Sequence, residues 1–163
     1  MPLSDDQLER YARQIIVPGI GVQGQERLLA ARVLVVGAPR GVAQASVYLR
    51  AAGVAVVPHT ARAGAAGPGV VVVAGAEALS ETERRELLAS GLPLCWYALG
   101  AAGFTSGSHP QAPLPSAAAA GTTAAIDQAL HDAAACHAAA TACALIAGLP
   151  CRTGSFACDV GEA

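Results

Sequence analysis

Arg32-Val-Leu-Val-Val-Gly37 decides the fold. Four consecutive apolar residues closed by glycine leave no polar face, so the run must be covered on both sides, as a strand is inside a parallel sheet flanked by helices. Beyond it, Gly41 to Ala52 has helical spacing and Val54-Ala-Val-Val57 reads as a second strand. That is a strand-helix-strand unit, whose crossover is right-handed. Val70-Val-Val-Val73 repeats the buried pattern, and Leu94 to Ala98 supplies a fourth strand. His59 to Gly69, rich in Ala and Gly, reads as a connection with no element of its own. Ser80 to Ser90 carries alternating charge, has Ser80 and Glu83 at capping-box spacing and stops at Gly91, which predicts a surface helix.

Upstream of the deciding strand, Ser4 is a candidate N-cap, and Asp5 and Asp6 suit the positive end of a short helix reaching Gln14. Ile15 to Gly24 reads as an ordered connector and Gln25 to Ala31 as another brief helix. Downstream, a short hairpin is expected after Gly103-Phe104, and Ser106 to Ser116, with three prolines, reads as a loop. Thr122 to Ala147 predicts an alanine-rich helix with Leu130, Cys136, Cys143, Leu145 and Ile146 toward one side. The tail offers an edge strand through Ser155-Phe-Ala-Cys158. The fold class is therefore α/β, a shortened Rossmann-like, doubly wound and mostly parallel sheet with helices on both faces. The 163 residues form one domain, divided into an N-terminal helical segment (1–31), a core (32–104), a shortened crossover loop (105–121) and a long helix with its tail (122–163). A domain of this size buries roughly 70% of the surface its unfolded chain exposes.

Composition narrows the function. Hydrophobic residues make up 53% and charged residues 13% of the chain, with apolar runs too short for the roughly 20 residues of a membrane span. A net charge of −2 gives no field to collect nucleic acid or acidic lipid, so neither is an expected partner. All 10 basic residues are arginine. Genomic base bias contributes to this, but the absence of lysine also removes the usual point charge on a nucleotide phosphate. The 5 cysteines include no Cys-x-x-Cys pair, so no zinc site is expected, and no basic-then-apolar leader opens the chain. A cytoplasmic location is the expectation.

The opening block carries the most specific signal: Arg10-Tyr-Ala-Arg13-Gln14-Ile-Ile, then Pro18-Gly-Ile-Gly21 and Gly24-Gln-Glu26-Arg-Leu28. It resembles the start of the ubiquitin-activating-enzyme-like ThiF/MoeB/HesA family. The likeness continues through Tyr48-Leu49, Ala51-Ala-Gly53-Val54, Gly91-Leu-Pro93-Leu94, Ala98, Gly103-Phe104 and the long helix before Gly148, with two large omissions. The resemblance implies ATP binding, adenylation of the C-terminal glycine of a ubiquitin-like or sulfur-carrier protein, and in many members transfer to a cysteine.

Against that chemistry the residues fall short. The loop expected to cradle phosphate reads Gly37-Ala-Pro39-Arg40-Gly41-Val42, where Pro39 has no N–H to donate and Arg40 and Val42 stand where the family has glycine. Arg40 is either a phosphate-binding guanidinium or a solvated loop arginine. No carboxylate follows the second strand, which runs on as Val57-Pro58-His59-Thr60, and Gly75 and Val72 fall at the family's acidic positions. Glu77 and Glu81 read as helix-start residues. Cys95, Cys136 and Cys143 read as packing residues, and His131 and His137 as solvated residues on different faces of one helix.

What remains is Arg10 and Arg13. The resemblance implies that Arg13 reaches across a dimer to ATP in the other subunit; the alternative is pairing with Asp6, Glu9 or Glu26 on its own surface. The expectation is a catalytically inactive ThiF/MoeB-like subunit with no cofactor of its own. It would act as a homodimer, or as a heterodimer with an active homologue, with a ubiquitin-like or sulfur-carrier protein as a further partner. The alternatives are an active ATP- and magnesium-dependent adenylyltransferase and a Rossmann module binding another small ligand at Gly37 and Gly41.

Overall fold

The computed structural model describes residues 2–57, 67–100, 103–109, 114, 124–151 and 154–157. Helices α1 (Asp5–Arg10), α2 (Ala12–Ile15) and α3 (Gly21–Ala30) open the chain, followed by β1 (Arg32–Gly37), α4 (Pro39–Ala51), β2 (Ala55–Val57) and β3 (Val70–Ala74). A 3-10 turn (Ala76–Ala78), α5 (Glu81–Ala89), β4 (Leu94–Gly100), β5 (Gly103–His109), α6 (Ala124–Ala147) and β6 (Gly154–Ala157) complete it. One six-stranded sheet runs β2-β1-β3-β4-β5-β6. Its first four strands are parallel and its last two antiparallel.

Strand alternation sorts the core into two layers. Val33, Val35, Val70, Val72, Cys95, Tyr97 and Leu99 lie under α3, α4 and α6, whereas Leu34, Val36, Val71, Val73, Leu94 and Trp96 pack against Leu79 and Leu87 at α5. Both faces are therefore covered, which is why the strands read as unbroken apolar runs. The helix starts obey local chemistry. Ser4 and Gln7 close one capping box and Ser80 and Glu83 another, each satisfying two backbone N–H groups that a helix leaves unpaired.

Three expectations need correction. Residues 105–109, assigned to the crossover loop of 105–121, belong to β5, which pairs with β4 from Gly100↔Gly103 to Leu94↔His109. The strand is disguised because the residues it buries include Ser106 and Ser108, each 1% exposed. Helix α3 begins at Gly21, inside the stretch read as a connector, because a glycine in its first turn does not stop a helix. The buried stripe of α6 is Leu130, Ala134, Ala135, Ala138, Ala139 and Ala142, while Cys136, Cys143, Leu145 and Ile146 are only half-buried. Apart from Leu130 that stripe is all alanine, so few large side chains mark the inner face of the helix. The tail strand is present as β6, with Cys158 outside the described residues.

Candidate functional site

In an open parallel sheet, ligands sit where consecutive strands run to opposite sides and their carboxyl ends part. Here that crevice lies between β1 and β3, because β2 adds to one side of β1 and β3 to the other. Gly37 ends β1 at φ +119, and a Cβ on it would meet the backbone carbonyl of Ala74. The Ala38 N–H donates to that same carbonyl at 2.8 Å. Pro39, Arg40 and Gly41 are wound into the first turn of α4, not held in a loop. Proline suits that first position because its fixed φ is helical and its missing N–H would have no partner within the helix.

The side chains around the α4 start are engaged within the protein, although no side chain caps its first-turn N–H groups. Arg40 is exposed, as a solvated arginine would be, but it stands in α4 and not in a loop, and its Nε and Nη2 donate to Oδ1 and Oδ2 of Asp132 on α6 at 3.3 and 3.0 Å. Gly41 is buried, and a Cβ there would fall on the Tyr97 hydroxyl. Tyr97, fully buried in β4, places that hydroxyl 3.2 Å from Nδ1 of His131, with the rings edge to face at 6.2 Å. Burial first, then the charges of Glu77 and Asp132, raise the Tyr97 phenol above its ordinary range, so it stays protonated. Glu77 accepts the Leu99 N–H through Oε2 at 3.2 Å. Val72 is 0% exposed in the core, Gly75 turns the chain at φ +83, and Pro58-His59-Thr60 lie outside the described residues.

The two histidines are not solvated on opposite faces. Both turn toward the sheet, His131 onto Tyr97 and His137 onto Phe104 at 5.9 Å between ring centroids. Burial lowers the pKa of His137, favouring its neutral form. The Tyr97–His131 contact was not legible as a site. Its one sequence signal is a polar-tipped aromatic inside an apolar strand, which needs a hydrogen-bond partner once buried.

The opening block divides cleanly into fastened and free residues. Tyr11 is buried, with its hydroxyl close against Gly53. The Gln14 Nε2 donates to Ala51 O at 3.4 Å, and the Gln25 Nε2 to Ala52 O at 3.0 Å. The Arg27 Nη1 donates to Ala147 O at 2.8 Å, a cation on carbonyls at the negative end of α6. These contacts fix the segment on the core. Arg10 and Arg13 are exposed, and neither pairs with Asp6, Glu9 or Glu26; Arg10 lies over the Tyr11 ring at 5.5 Å. Beside them Ile16 is 78%, Val17 43% and Val22 44% exposed.

Burial acts on three of the thiols. Burial pushes Cys95 up to about 12 and Cys143 up to about 11, and raises Cys151 as well. A thiolate is the nucleophile, so these groups are suppressed at neutral pH. No cluster of three metal-ligating side chains occurs among the described residues.

The sheet order and two-sided core define a Rossmann-like α/β protein. A solved structure described as the crystal structure of selenomethionyl PaaA shares this fold, with TM-score 0.59 and 12% identity over 95% of this chain and 74% of that one. No family model matches the chain. Among curated proteins, the Pyricularia oryzae adenylyltransferase and sulfurtransferase uba4 is 50% identical over 56 residues, covering 34% of this chain and 11% of that protein. The Aspergillus niger protein of the same name is 51% identical over 53 residues, covering 32% and 11%. The probable adenylyltransferase/sulfurtransferase MoeZ of Mycobacterium tuberculosis is 49% identical over 55 residues, covering 34% and 14%. Over about a third of its length the chain is thus similar to adenylyltransferase/sulfurtransferase proteins named uba4 and MoeZ. The matched stretch spans only about a tenth of these relatives' length, at 11–14%.

Proposed function

We propose that this chain is a catalytically inactive ThiF/MoeB-type subunit that works by docking on a partner, to whose ATP site it contributes Arg13. The observation that carries the reading is the start of α4. A phosphate cradle needs open N–H groups, close backbone approach and an available cation. Here the Ala38 N–H is taken by Ala74 O, Pro39 has none, Arg40 is held by Asp132, and Tyr97 packs beneath Gly41. These residues do not fit a nucleotide triphosphate, which speaks against the alternative of an active adenylyltransferase.

The docking half of the reading rests on what the opening block leaves uncovered. Its anchors are all spent on the core, yet Arg13 makes no hydrogen bond or ion pair among the described residues, and Ile16 lies three positions on at 78% exposure. A guanidinium offered in trans needs nothing from its own subunit's crevice, so this role survives loss of the local site. The partner is a second copy or an active homologue.

Sedimentation of the wild-type chain and of Ile16→Asp tests this. The wild type is expected at the mass of two chains, or of one copy of each when mixed with a full-length ThiF/MoeB homologue from the same genome. A carboxylate at so exposed a position leaves the fold intact and weakens either association at least about tenfold, or ~1.4 kcal/mol. A wild-type chain that stays single in both experiments, or an Ile16→Asp chain that associates equally well, contradicts the reading.

A further inference from the structure

We infer that a second copy of this chain covers one continuous surface, made by the opening segment (4–22) together with the outer side of α4. The inference rests on the docking half of the proposed function and names the partner. Of the seven large hydrophobic side chains exposed among the described residues, six lie on these elements: Leu8, Ile16, Val17, Val22, Val47 and Tyr48. The other, Leu88, is on α5 across the sheet. The two parts adjoin. Gln14 of α2 donates to Ala51 O in the last turn of α4, one turn beyond Val47 and Tyr48 on the same side of that helix. Burying one aliphatic side chain removes roughly 100 Å² of apolar surface, so Ile16, Val17 and Val22 alone fall well short of the about 800 Å² per partner that a specific interface covers. Val47 and Tyr48, 58% and 41% exposed, extend it.

A copy fits this surface because the surface carries both halves of each contact. A two-fold interface sets a patch against itself, so the patch must be self-complementary. In charge it is: Asp5, Asp6 and Glu9 are exposed on α1, with Arg10 and Arg13 exposed beyond them and Arg50 exposed at the end of α4. Asp5, Asp6, Glu9, Arg13 and Arg50 enter no side-chain hydrogen bond or ion pair among the described residues, and Arg10 only stacks on Tyr11. Turned onto itself, the patch sets uncommitted carboxylates against uncommitted guanidiniums. Its shape is matched as well. Ile16 projects at 78% exposure, close in the chain to a shallow hollow of about 330 Å³ lined by Gly19, Ile20, Gly21, Val22 and Gln23. The Ile16 of one copy enters the hollow of the other, as an apolar anchor fills a pocket. Arg13 cannot serve a copy and a homologue at once, so the two partners compete for it.

Sedimentation equilibrium tests this with three variants, all at exposed positions, whose far-UV circular dichroism is expected to match the wild type. The wild type alone has the mass of two chains. Tyr48→Glu on α4 weakens the dimer at least about tenfold. Arg10→Glu/Arg13→Glu and Asp6→Arg/Glu9→Arg each weaken it comparably, because each patch then meets its own sign across the two-fold axis. Mixed in equal amounts, those two charge variants recover the dimer, which mixing could not do for a folding defect. A wild-type chain that stays single alone yet pairs with a full-length homologue overturns this inference and leaves the proposed function standing; one that stays single in both experiments overturns both. A Tyr48→Glu chain that dimerises like the wild type, or a mixture no tighter than either charge variant alone, also overturns the inference.

Discussion

Gly37→Ala is expected to destabilise the protein by about 3 kcal/mol, lowering Tm by roughly 6–12 °C for a chain of this size. Two penalties coincide at this residue. Its φ of +119 lies where L side chains are strained, and its Cβ would be driven into the Ala74 carbonyl. That obstacle is backbone, which cannot rotate aside, and the same oxygen holds the Ala38 N–H at 2.8 Å. Gly91 separates the two penalties, since it has φ +66 but nothing within 4 Å of its Cβ position. Gly91→Ala is accordingly expected to cost only about 1 kcal/mol. Thermal unfolding of the two variants side by side checks this; an equal, small drop in both shows that the crevice floor has room the structure does not contain.

Tyr97→Ala is expected to cost about 3–5 kcal/mol, the range for deleting a large buried aromatic. Tyr97 joins three elements at once, being fully buried in β4, lying beneath Gly41 of α4 and meeting His131 of α6. Tyr97→Phe keeps the ring and loses only the hydroxyl, so about 1–2 kcal/mol is expected, part of it from leaving the His131 Nδ1 unpaired. Gly41→Ala should be markedly less harmful in the Tyr97→Phe background than alone, because the atom its Cβ meets is gone. Chemical denaturation of the four proteins measures the coupling. Strict additivity contradicts the packing described between α4 and β4.

The buried strands were legible because a sheet covered on both faces leaves an uninterrupted apolar signature, and Val33 to Val36 and Val70 to Val73 both carry it. The helix starts at Ser4 and Ser80 were legible because capping is local chemistry. Strand β5 was legible only as a short hairpin near Gly103-Phe104 and not over its full length, since Ser106 and Ser108 are buried and no local hydrophobicity announces them. The same holds for α6, where a stripe of alanines in a helix rich in alanine has no contrast to read. At the candidate site, the sequence named Gly37, Arg40 and Gly41 and doubted a phosphate cradle there. It did not reveal what holds those residues, because Asp132 is 92 residues from Arg40 and His131 is 34 from Tyr97. Such long-range pairs have no signature in spacing.

The proposed function requires that the crevice between β1 and β3 be closed to nucleotide while the opening segment is available to a partner. Calorimetric titration of the purified protein with ATP and magnesium tests it most directly. No measurable binding, or a Kd of about 1 mM or weaker, is the predicted result, since little more than ~4 kcal/mol is available without a cradle or a free cation. A Kd in the micromolar range, lost in Arg40→Ala, would contradict the account and make the start of α4 a working phosphate site.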